Sequence, residues 1–177
     1  MSETVATTER LVLRSLHQGD IAHLFDAFSD PDSMTWWSRD VFADEAELGA
    51  YLCPEEPGTG RTFVAAGRDD DEPYLYCAIF PRKPGYVEIG YMCRPKWRGR
   101  GIAAEAITAL IDVAFADPSI RRVFADTDPD NDGSNRLLER LGFTLEGRMR
   151  ETWDTHIGIR DANIWGILRR EWEARKT

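Results

Sequence analysis

RPKWRGRGIAAEAITALIDVAF, residues 94–115, joins a basic turn that contains two glycines to a segment of helical periodicity. Gly99 and Gly101 would let a ligand approach the backbone closely, and the first turn of a helix offers unpaired N–H groups. The apolar residues that follow recur about every 3.6 positions: Ala103, Ala106, Ile107, Leu110, Ile111 and Ala114. The stretch therefore predicts an anion-binding loop at the start of an amphipathic helix.

Positive charge is concentrated around this turn, although the chain of 177 residues has a formal net charge of -9. The nineteen residues from position 82 to position 100 contain a single acid, Glu88, and six basic residues: Arg82, Lys83, Arg94, Lys96, Arg98 and Arg100. A local basic cluster in an acidic chain predicts a small anionic ligand. It argues against nucleic acid or an anionic membrane as a partner.

The remaining composition indicates a cytoplasmic protein without a metal centre. The three cysteines, Cys53, Cys77 and Cys93, are odd in number and lack metal-ligand spacing, which fits a reducing compartment. The first ten residues lack the pattern of a signal peptide, and no apolar run approaches the ~20 residues that span a bilayer. The length suits one domain over residues 1–177.

The order of the predicted elements indicates a mixed α/β (α+β) fold. Alternating or β-rich runs predict about seven strands, at 10–16, 61–67, 73–80, 85–93, 121–127, 143–153 and 158–168. Short polar or Pro-Gly turns between the second, third and fourth runs predict an antiparallel meander. Helical spacing predicts about four helices, at 17–30, 43–52, after the basic turn and at 131–143.

The glycine turn also matches part of a dinucleotide-binding fingerprint. Gly99, Gly101 and Ala104 satisfy G-x-G-x-x-A, and Asp126 ends the next predicted strand. However, the preceding strands are predicted to be antiparallel, and too little chain follows Asp126 for a second βαβαβ half. A P-loop is disfavoured because no Gly-Lys-Ser/Thr follows the turn.

The same turn contains R-x-x-G-x-A at Arg98, Gly101 and Ala103. With TERLVLR, EIGYMCRPKWRGRGIAAEA, DPDNDGSNRLLERLGFTLEG and RDANIWGILRREW in this order, the chain resembles the GNAT superfamily of N-acetyltransferases. It is most similar to the RimJ/RimL-type subgroup, which contains ribosomal-protein alanine N-acetyltransferases. The resemblance implies a mostly antiparallel sheet that splays between the fourth and fifth strands, and acetyl transfer from acetyl-CoA to a primary amine.

The resemblance also implies the residues that bind the cofactor. Met92, Cys93 and Arg94 match the end of the fourth strand, whose backbone pairs with the pantetheine arm and polarises the acetyl oxygen. The pyrophosphate would be held by the loop Arg98, Gly99, Arg100, Gly101, Ile102 and Ala103. Asn131 matches a position that contacts the cofactor.

Two residues are predicted to move protons. Many family members carry a tyrosine seven residues after Asn131, where this chain has Leu138, so Ser134 becomes the candidate to protonate the thiolate. The alternative is that Asn131 and Ser134 only cap a helix. Glu88 is the candidate base, directly or through water, and the alternative is a structural carboxylate.

The amine acceptor is predicted to lie near a loop that the family places over this site. Trp36 and Trp37 fall in that loop, and Trp153 and His156 are weaker candidates. An α-amine, with a pKa near 8, is deprotonated far more easily than a lysine near 10.4. This favours a protein or peptide N-terminus as acceptor, with a polyamine, amino acid or aminoglycoside as the alternative, and a monomeric or homodimeric enzyme.

A calcium-binding loop is an alternative from a different functional class. The required EF-hand offsets are satisfied by Asp128, Asp130, Asp132, Gly133 and Glu139. The segment before them is predicted to be a strand, whereas an EF-hand needs a helix there. The same residues are also accounted for as a turn from a strand into a capped helix.

Overall fold

A computed structural model describes residues 3–54 and 58–176, and its centre is an eight-stranded sheet. The strands are β1 (Thr4–Thr7), β2 (Leu11–Ser15), β3 (Arg61–Gly67), β4 (Pro73–Lys83), β5 (Tyr86–Cys93), β6 (Arg122–Thr127), β7 (Thr144–Thr155) and β8 (Gly158–Leu168). Their order is β1-β2-β3-β4-β5-β6-β8-β7, and only β5 and β6 pair in parallel. A doubly wound dinucleotide fold is therefore excluded.

Helices cover both faces of this sheet. They are α1 (Ile21–Phe28), α2 (Pro31–Met34), α3 (Glu45–Leu52), α4 (Ile102–Ala116), α5 (Asp132–Arg140) and α6 (Arg169–Ala174). The first three pack on one face around Phe28 and Met34, and the last three pack on the other around Leu110, Leu138 and Trp172. Among the described helices, none combines the length and apolar character needed to cross a bilayer.

The parallel pair β5–β6 separates soon after it forms. The two strands are paired only from Tyr86 to Glu88 on β5, opposite Arg122 to Phe124 on β6. Beyond this point β5 stays paired with β4 as far as Cys93, and β6 stays paired with β8 as far as Thr127. The predicted mixed fold and its splay between two central strands are confirmed, and the gap opens between these strand ends.

Side-chain alternation gives the two faces of the gap different chemistry. Val123 and Ala125 of β6 are buried in the core under α4, so Asp126 lies on the opposite face. On β5, Tyr91 packs against that same core, whereas Met92 packs against the layer formed by α1, α2 and α3.

Three short elements differ from the sequence prediction. An eighth strand, β1, was not predicted because it has only four residues and lacks a buried face. The predicted loop at 32–40 begins with α2, whose cap Asp30 accepts a hydrogen bond from Ser33 N at 3.1 Å, with Pro31 in the first turn. The polar segment after β8, for which no element was predicted, forms α6, which is anchored by the buried Trp172.

A buried ion pair joins β2 to the turn before α1. Arg14 is 5% exposed and Asp20 is 2% exposed. The guanidinium donates to the two oxygens of Asp20 at 2.9 and 2.8 Å, and it also donates to Asp71 at 2.8 Å. Asp20 depends on this partner because a buried carboxylate without one is strongly unfavourable.

We expect Arg14→Met to lower the free energy of unfolding by about 3 to 5 kcal/mol, because it leaves Asp20 charged and buried. Arg136→Met is the matched control, since it removes an exposed ion pair with Asp132 and should change stability by less than about 1 kcal/mol. Urea unfolding of both variants measures the difference. Equal losses would show that the buried pair adds nothing beyond a surface pair.

Candidate active site

A cavity of about 710 Å³ opens where β5 and β6 separate. It is bordered by the turn before α4, the first turn of α5 and the loop after α2. The fold brings to it nearly all of the residues predicted from the sequence: Trp36, Trp37, Glu88, Met92, Cys93, Arg98, Gly99, Gly101, Ile102, Ala103, Asn131 and Ser134. Arg94, Arg100 and the weaker candidate His156 do not line it.

The glycine turn has the features of an anion site. Gly99 and Gly101 have φ values of 72° and 77°, a left-handed conformation that favours glycine. α4 starts at Ile102 without a side-chain cap. Within the described part of the chain, no backbone amide from Gly99 to Ala103 donates a hydrogen bond. These amides and the positive end of the helix dipole are therefore available to an anion.

Much of the basic cluster is neutralised inside the protein, which corrects the charge count made from the sequence. Arg94 is only 5% exposed, and its guanidinium donates to Asp26 at 2.7 Å and to Glu72 at 2.6 Å. Lys96 also pairs with Glu72. The side chain of Arg94 thus braces β5 against α1. Its N–H donates to Tyr74 O at 3.1 Å and its carbonyl accepts from Trp97 N at 3.0 Å, so these contacts do not favour the expected role of Arg94 at the cofactor.

The arginines of the turn differ in their contacts. Arg98 donates to the carbonyl oxygen of Cys93 at 3.1 Å and to Ser33 Oγ at 2.6 Å, so it links α2 to the end of β5. The guanidinium of Arg100 lies 5.2 Å from the centre of the Trp97 ring. The carbonyl oxygen of Arg100 accepts a hydrogen bond from Arg10, which fixes the turn to the β1–β2 connection.

Two carboxylates border the cavity at the opening of the splay. Glu88 is held by Arg82 at 2.6 Å. The pKa of Asp126 is raised to about 6, with burial as the largest cause; a hydrogen bond from Trp153 opposes the rise, and the charges of Glu88 and Asp128 contribute to it. Trp153 Nε1 donates to Asp126 at 3.0 Å.

Asp126 was not among the residues predicted for this chemistry; the sequence pattern placed it only in a partial dinucleotide fingerprint. Its position could have indicated this role, because Asp126 lies near the end of the strand that follows the central helix. That strand is the neighbour of the strand that carries Glu88.

Two hydroxyl groups lie on the other face of the splay. Asn131 Oδ1 accepts from the backbone N–H of Ser134 at 3.2 Å, so Asn131 caps α5 and the hydroxyl of Ser134 is not needed for the cap. The buried hydroxyl of Tyr91 forms no well-aligned hydrogen bond with any described residue. Burial raises the pKa of Tyr91 to about 12, and the neighbouring hydroxyl of Ser134 acts in the opposite direction.

Tyr91 was not predicted as a site residue either, because the tyrosine of many family members corresponds to position 138 on α5. Leu138 occupies that helix position and is fully buried in the core. Tyr91 instead reaches the neighbourhood of Ser134 from β5, and its side chain lines the cavity.

Aromatic side chains form the outer wall. Trp37 packs edge-on against Phe28, with 5.2 Å between ring centres, and Trp36 is 37% exposed with the guanidinium of Arg160 lying 5.6 Å from its ring centre. Both tryptophans line the cavity, as does Trp153. His156 is exposed and is not part of this lining.

The calcium alternative is not supported by the geometry of its residues. Arg160 donates to Asp128 at 2.7 Å and to Asp130 at 2.6 Å. Asp132 pairs with Arg136, and β6 rather than a helix precedes the loop. Across residues 3–54 and 58–176, no group of three or more His, Cys, Asp or Glu side chains is placed to hold a metal ion.

Comparisons with known proteins identify relatives of this fold and sequence. The profile of the acetyltransferase (GNAT) domain matches residues 10–144. An uncharacterized N-acetyltransferase, p20 of Bacillus licheniformis, is 29% identical over 172 residues, which cover 93% of this chain and 96% of p20. The [ribosomal protein uS5]-alanine N-acetyltransferase of Escherichia coli is 28% identical over 170 residues, covering 85% of this chain and 87% of that protein.

A similar fold occurs in a spermidine N-acetyltransferase from Vibrio cholerae, whose structure was solved in complex with CoA and spermine. The TM-score is 0.81 with 20% sequence identity, and the match covers 94% of this chain and 99% of the other.

For the turn, we expect Gly101→Glu to weaken CoA binding at least about tenfold, because a carboxylate would stand beside the amides that receive the diphosphate. Gly158→Glu is the control, since Gly158 has a φ of 103° in the β7–β8 turn. Both variants carry a left-handed non-glycine residue, which costs about 1 to 3 kcal/mol of stability. Calorimetric titration with CoA separates the two effects, and undiminished affinity in Gly101→Glu would remove the turn from the site.

Proposed function

The chain belongs to the GNAT acetyltransferase family, and on this premise we propose that it moves the acetyl group of acetyl-CoA to the N-terminal α-amine of a protein or peptide. Transfer would be direct, within a ternary complex. The observation that carries the proposal is the cavity at the splay, which joins an anion-binding turn on one side to carboxylates and tryptophans on the other.

The cofactor half of the proposal rests on unpaired backbone groups. The unpaired amides of Gly99 to Ala103 would hold the pyrophosphate, with little help from the basic side chains that pair elsewhere, whereas the amide of Arg98 already donates to Pro95 O at 3.2 Å. Beyond Glu88, β5 has no strand partner on the side of β6. The backbone groups of Met92 and Cys93 that face this side would therefore be available to the pantetheine arm and to the acetyl oxygen, whereas the N–H of Arg94 already donates to Tyr74 O at 3.1 Å. Asn131 would approach the cofactor from the start of α5.

The acceptor half is acidic and aromatic, which suits an ammonium group. Trp36 and Trp37 would enclose the amine, and Glu88 and Asp126 would attract its charge. The α-amine is the favoured acceptor because its pKa lies near 8, within reach of a carboxylate of moderately raised pKa. The relative that acetylates the alanine of a ribosomal protein is consistent with this class.

A small polyamine is the second candidate acceptor. The observation that favours it is the number of carboxylates that line the cavity, which include Asp32 and Asp161 beyond the splay. A similar fold also serves spermidine in the Vibrio cholerae enzyme.

For either acceptor, we propose that residues 1–177 act as one catalytic domain, as a monomer or homodimer in the cytoplasm.

Thiol release from acetyl-CoA tests the proposed function directly. The acceptors are an alanine-initiated peptide, the same peptide with an acetylated N-terminus, spermidine and an aminoglycoside. We expect turnover with the free peptide and none with the blocked one, since acetylation removes the nucleophilic amine. Faster turnover of spermidine would assign the enzyme to small amines. No turnover above acetyl-CoA hydrolysis with every acceptor would contradict the proposal.

We expect Ser134→Ala to reduce kcat at least about tenfold, because the departing thiolate would lose its proton donor. Its melting temperature should not change, since the cap uses Asn131 Oδ1 and the backbone of residue 134. Asn131→Ala is the contrasting variant and should lose about 1 kcal/mol of stability with its cap. Unchanged turnover in Ser134→Ala would leave this residue without a role in proton transfer.

A further inference from the structure

Asp126 occupies an unusual position among the carboxylates of the cavity. It lies on β6 beyond the last residue paired with β5, and its side chain is partly buried. Its carboxylate accepts a hydrogen bond from Trp153 Nε1 at 3.0 Å. Among the described residues, no lysine or arginine forms an ion pair with Asp126.

The neighbouring carboxylates are engaged or exposed. Three are held by arginines: Glu88 by Arg82 at 2.6 Å, Asp128 by Arg160 at 2.7 Å and Asp161 by Arg148 at 2.8 Å. Asp32, on α2, also borders the cavity, but it is exposed to solvent. Among the described carboxylates at the splay, Asp126 is therefore the one that is partly buried and has no cationic partner.

We propose that Asp126 accepts the proton of the acceptor ammonium and that Trp153 holds its carboxylate in place. The inference rests on the proposed acetyl transfer and assigns a step that Glu88 was expected to perform. Glu88 is held in an ion pair by Arg82, which makes it less available as a base, and its charge contributes to the raised pKa of Asp126.

The step balances as follows in atoms and charge. The ammonium gives one proton to the carboxylate of Asp126 and becomes a neutral amine. Its lone pair forms the C–N bond to the acetyl carbon, the C–S bond breaks, and the sulfur receives the second proton of the nitrogen through Ser134. Asp126 then releases its proton to solvent, so the products are the amide, CoA thiol and one proton.

The charged groups around Asp126 come from every strand that borders it. Glu88 on β5 and Asp128 just after β6 add negative charge, Arg160 on β8 forms an ion pair with Asp128, and Trp153 on β7 donates a hydrogen bond. With burial as the largest cause, these groups leave the pKa of Asp126 at about 6.

The basicity of the amine also bears on the class of acceptor. Proton transfer to a carboxylate with a pKa of about 6 is unfavourable by roughly 100-fold from an α-ammonium with a pKa near 8, and by more than about 10,000-fold from a lysine with a pKa near 10.4. The difference comes from the amines themselves, and it favours an N-terminal α-amine as the acceptor.

The first test is the pH profile of kcat/KM for the amine of the panel above that is acetylated fastest. In the wild type, the acid limb should report an apparent pKa near 6, from Asp126. In Asp126→Asn, only the free amine can react, so the acid limb should move towards the pKa of the amine, and kcat/KM at pH 6.5 should fall at least about 30-fold. Asp154→Asn makes the same chemical change beside Trp153 on an exposed residue and should leave the profile unchanged.

Glu88→Gln separates the two candidate bases. We expect a fall in kcat/KM of less than about fivefold and a small shift of the acid limb to lower pH, because a negative charge beside Asp126 is removed. A larger loss in Glu88→Gln than in Asp126→Asn, with the acid limb lost, would assign the base to Glu88 and overturn the proposal.

The second test needs no acceptor. In the free protein, the ¹⁵N-indole resonance of Trp153, identified through Trp153→Phe, should titrate near pH 6 and should stop titrating in Asp126→Asn. Trp153→Phe should move the acid limb of the kinetic profile to higher pH, because the indole hydrogen bond lowers the pKa of Asp126.

These outcomes are distinguishable from failure of the proposed function. Absence of turnover by the wild type with every amine would reject acetyl transfer to amines, and this assignment with it. Turnover by the wild type with an unshifted acid limb in Asp126→Asn, or an indole resonance that does not titrate between pH 5 and 8, would overturn the role of Asp126 alone.

Discussion

The separation of β5 from β6 is the constraint on which the rest of the site depends. Two parallel strands that part after three paired residues leave the inner edges of both without sheet partners. Buried or half-buried backbone groups of this kind need hydrogen-bond partners from elsewhere. The outer neighbours β4 and β8 keep each strand straight and supported, so the gap is a built feature of the sheet. An extended, amide-containing ligand such as pantetheine is suited to fill it.

Strand alternation then separates the proton chemistry into two faces. Asp126 and Glu88 lie on the side of the tryptophans, whereas Tyr91 and Ser134 lie on the side of α4 and α5. An amine that enters on the first face and a sulfur held near the second would meet at the acetyl carbon. The two proton transfers need not compete for one group, because each face carries groups of a different acidity.

Internal ion pairs determine which charges are available to ligands. Arg94 and Arg82 each neutralise a carboxylate that would otherwise border or support the site, and Arg160 does the same for Asp128. The anion-binding turn consequently relies on amides and the helix dipole more than on side chains. On the acceptor side, the other carboxylates of the described residues are paired with arginines or exposed to solvent, and Asp126 is partly buried without a cationic partner.

The sequence by itself determined the glycine turn, the amphipathic helix and the mixed fold, because these depend on local spacing, glycine conformation and side-chain alternation. It also placed Asn131 at a cap, which is a local contact. Only the tertiary structure decided which charges were paired and which hydroxyls and carboxylates met. Arg94 with Asp26, Tyr91 with Ser134 and Trp153 with Asp126 are each distant in sequence. Burial and hydrogen bonding depend on such contacts, and both act on the acidity of Asp126 and Tyr91.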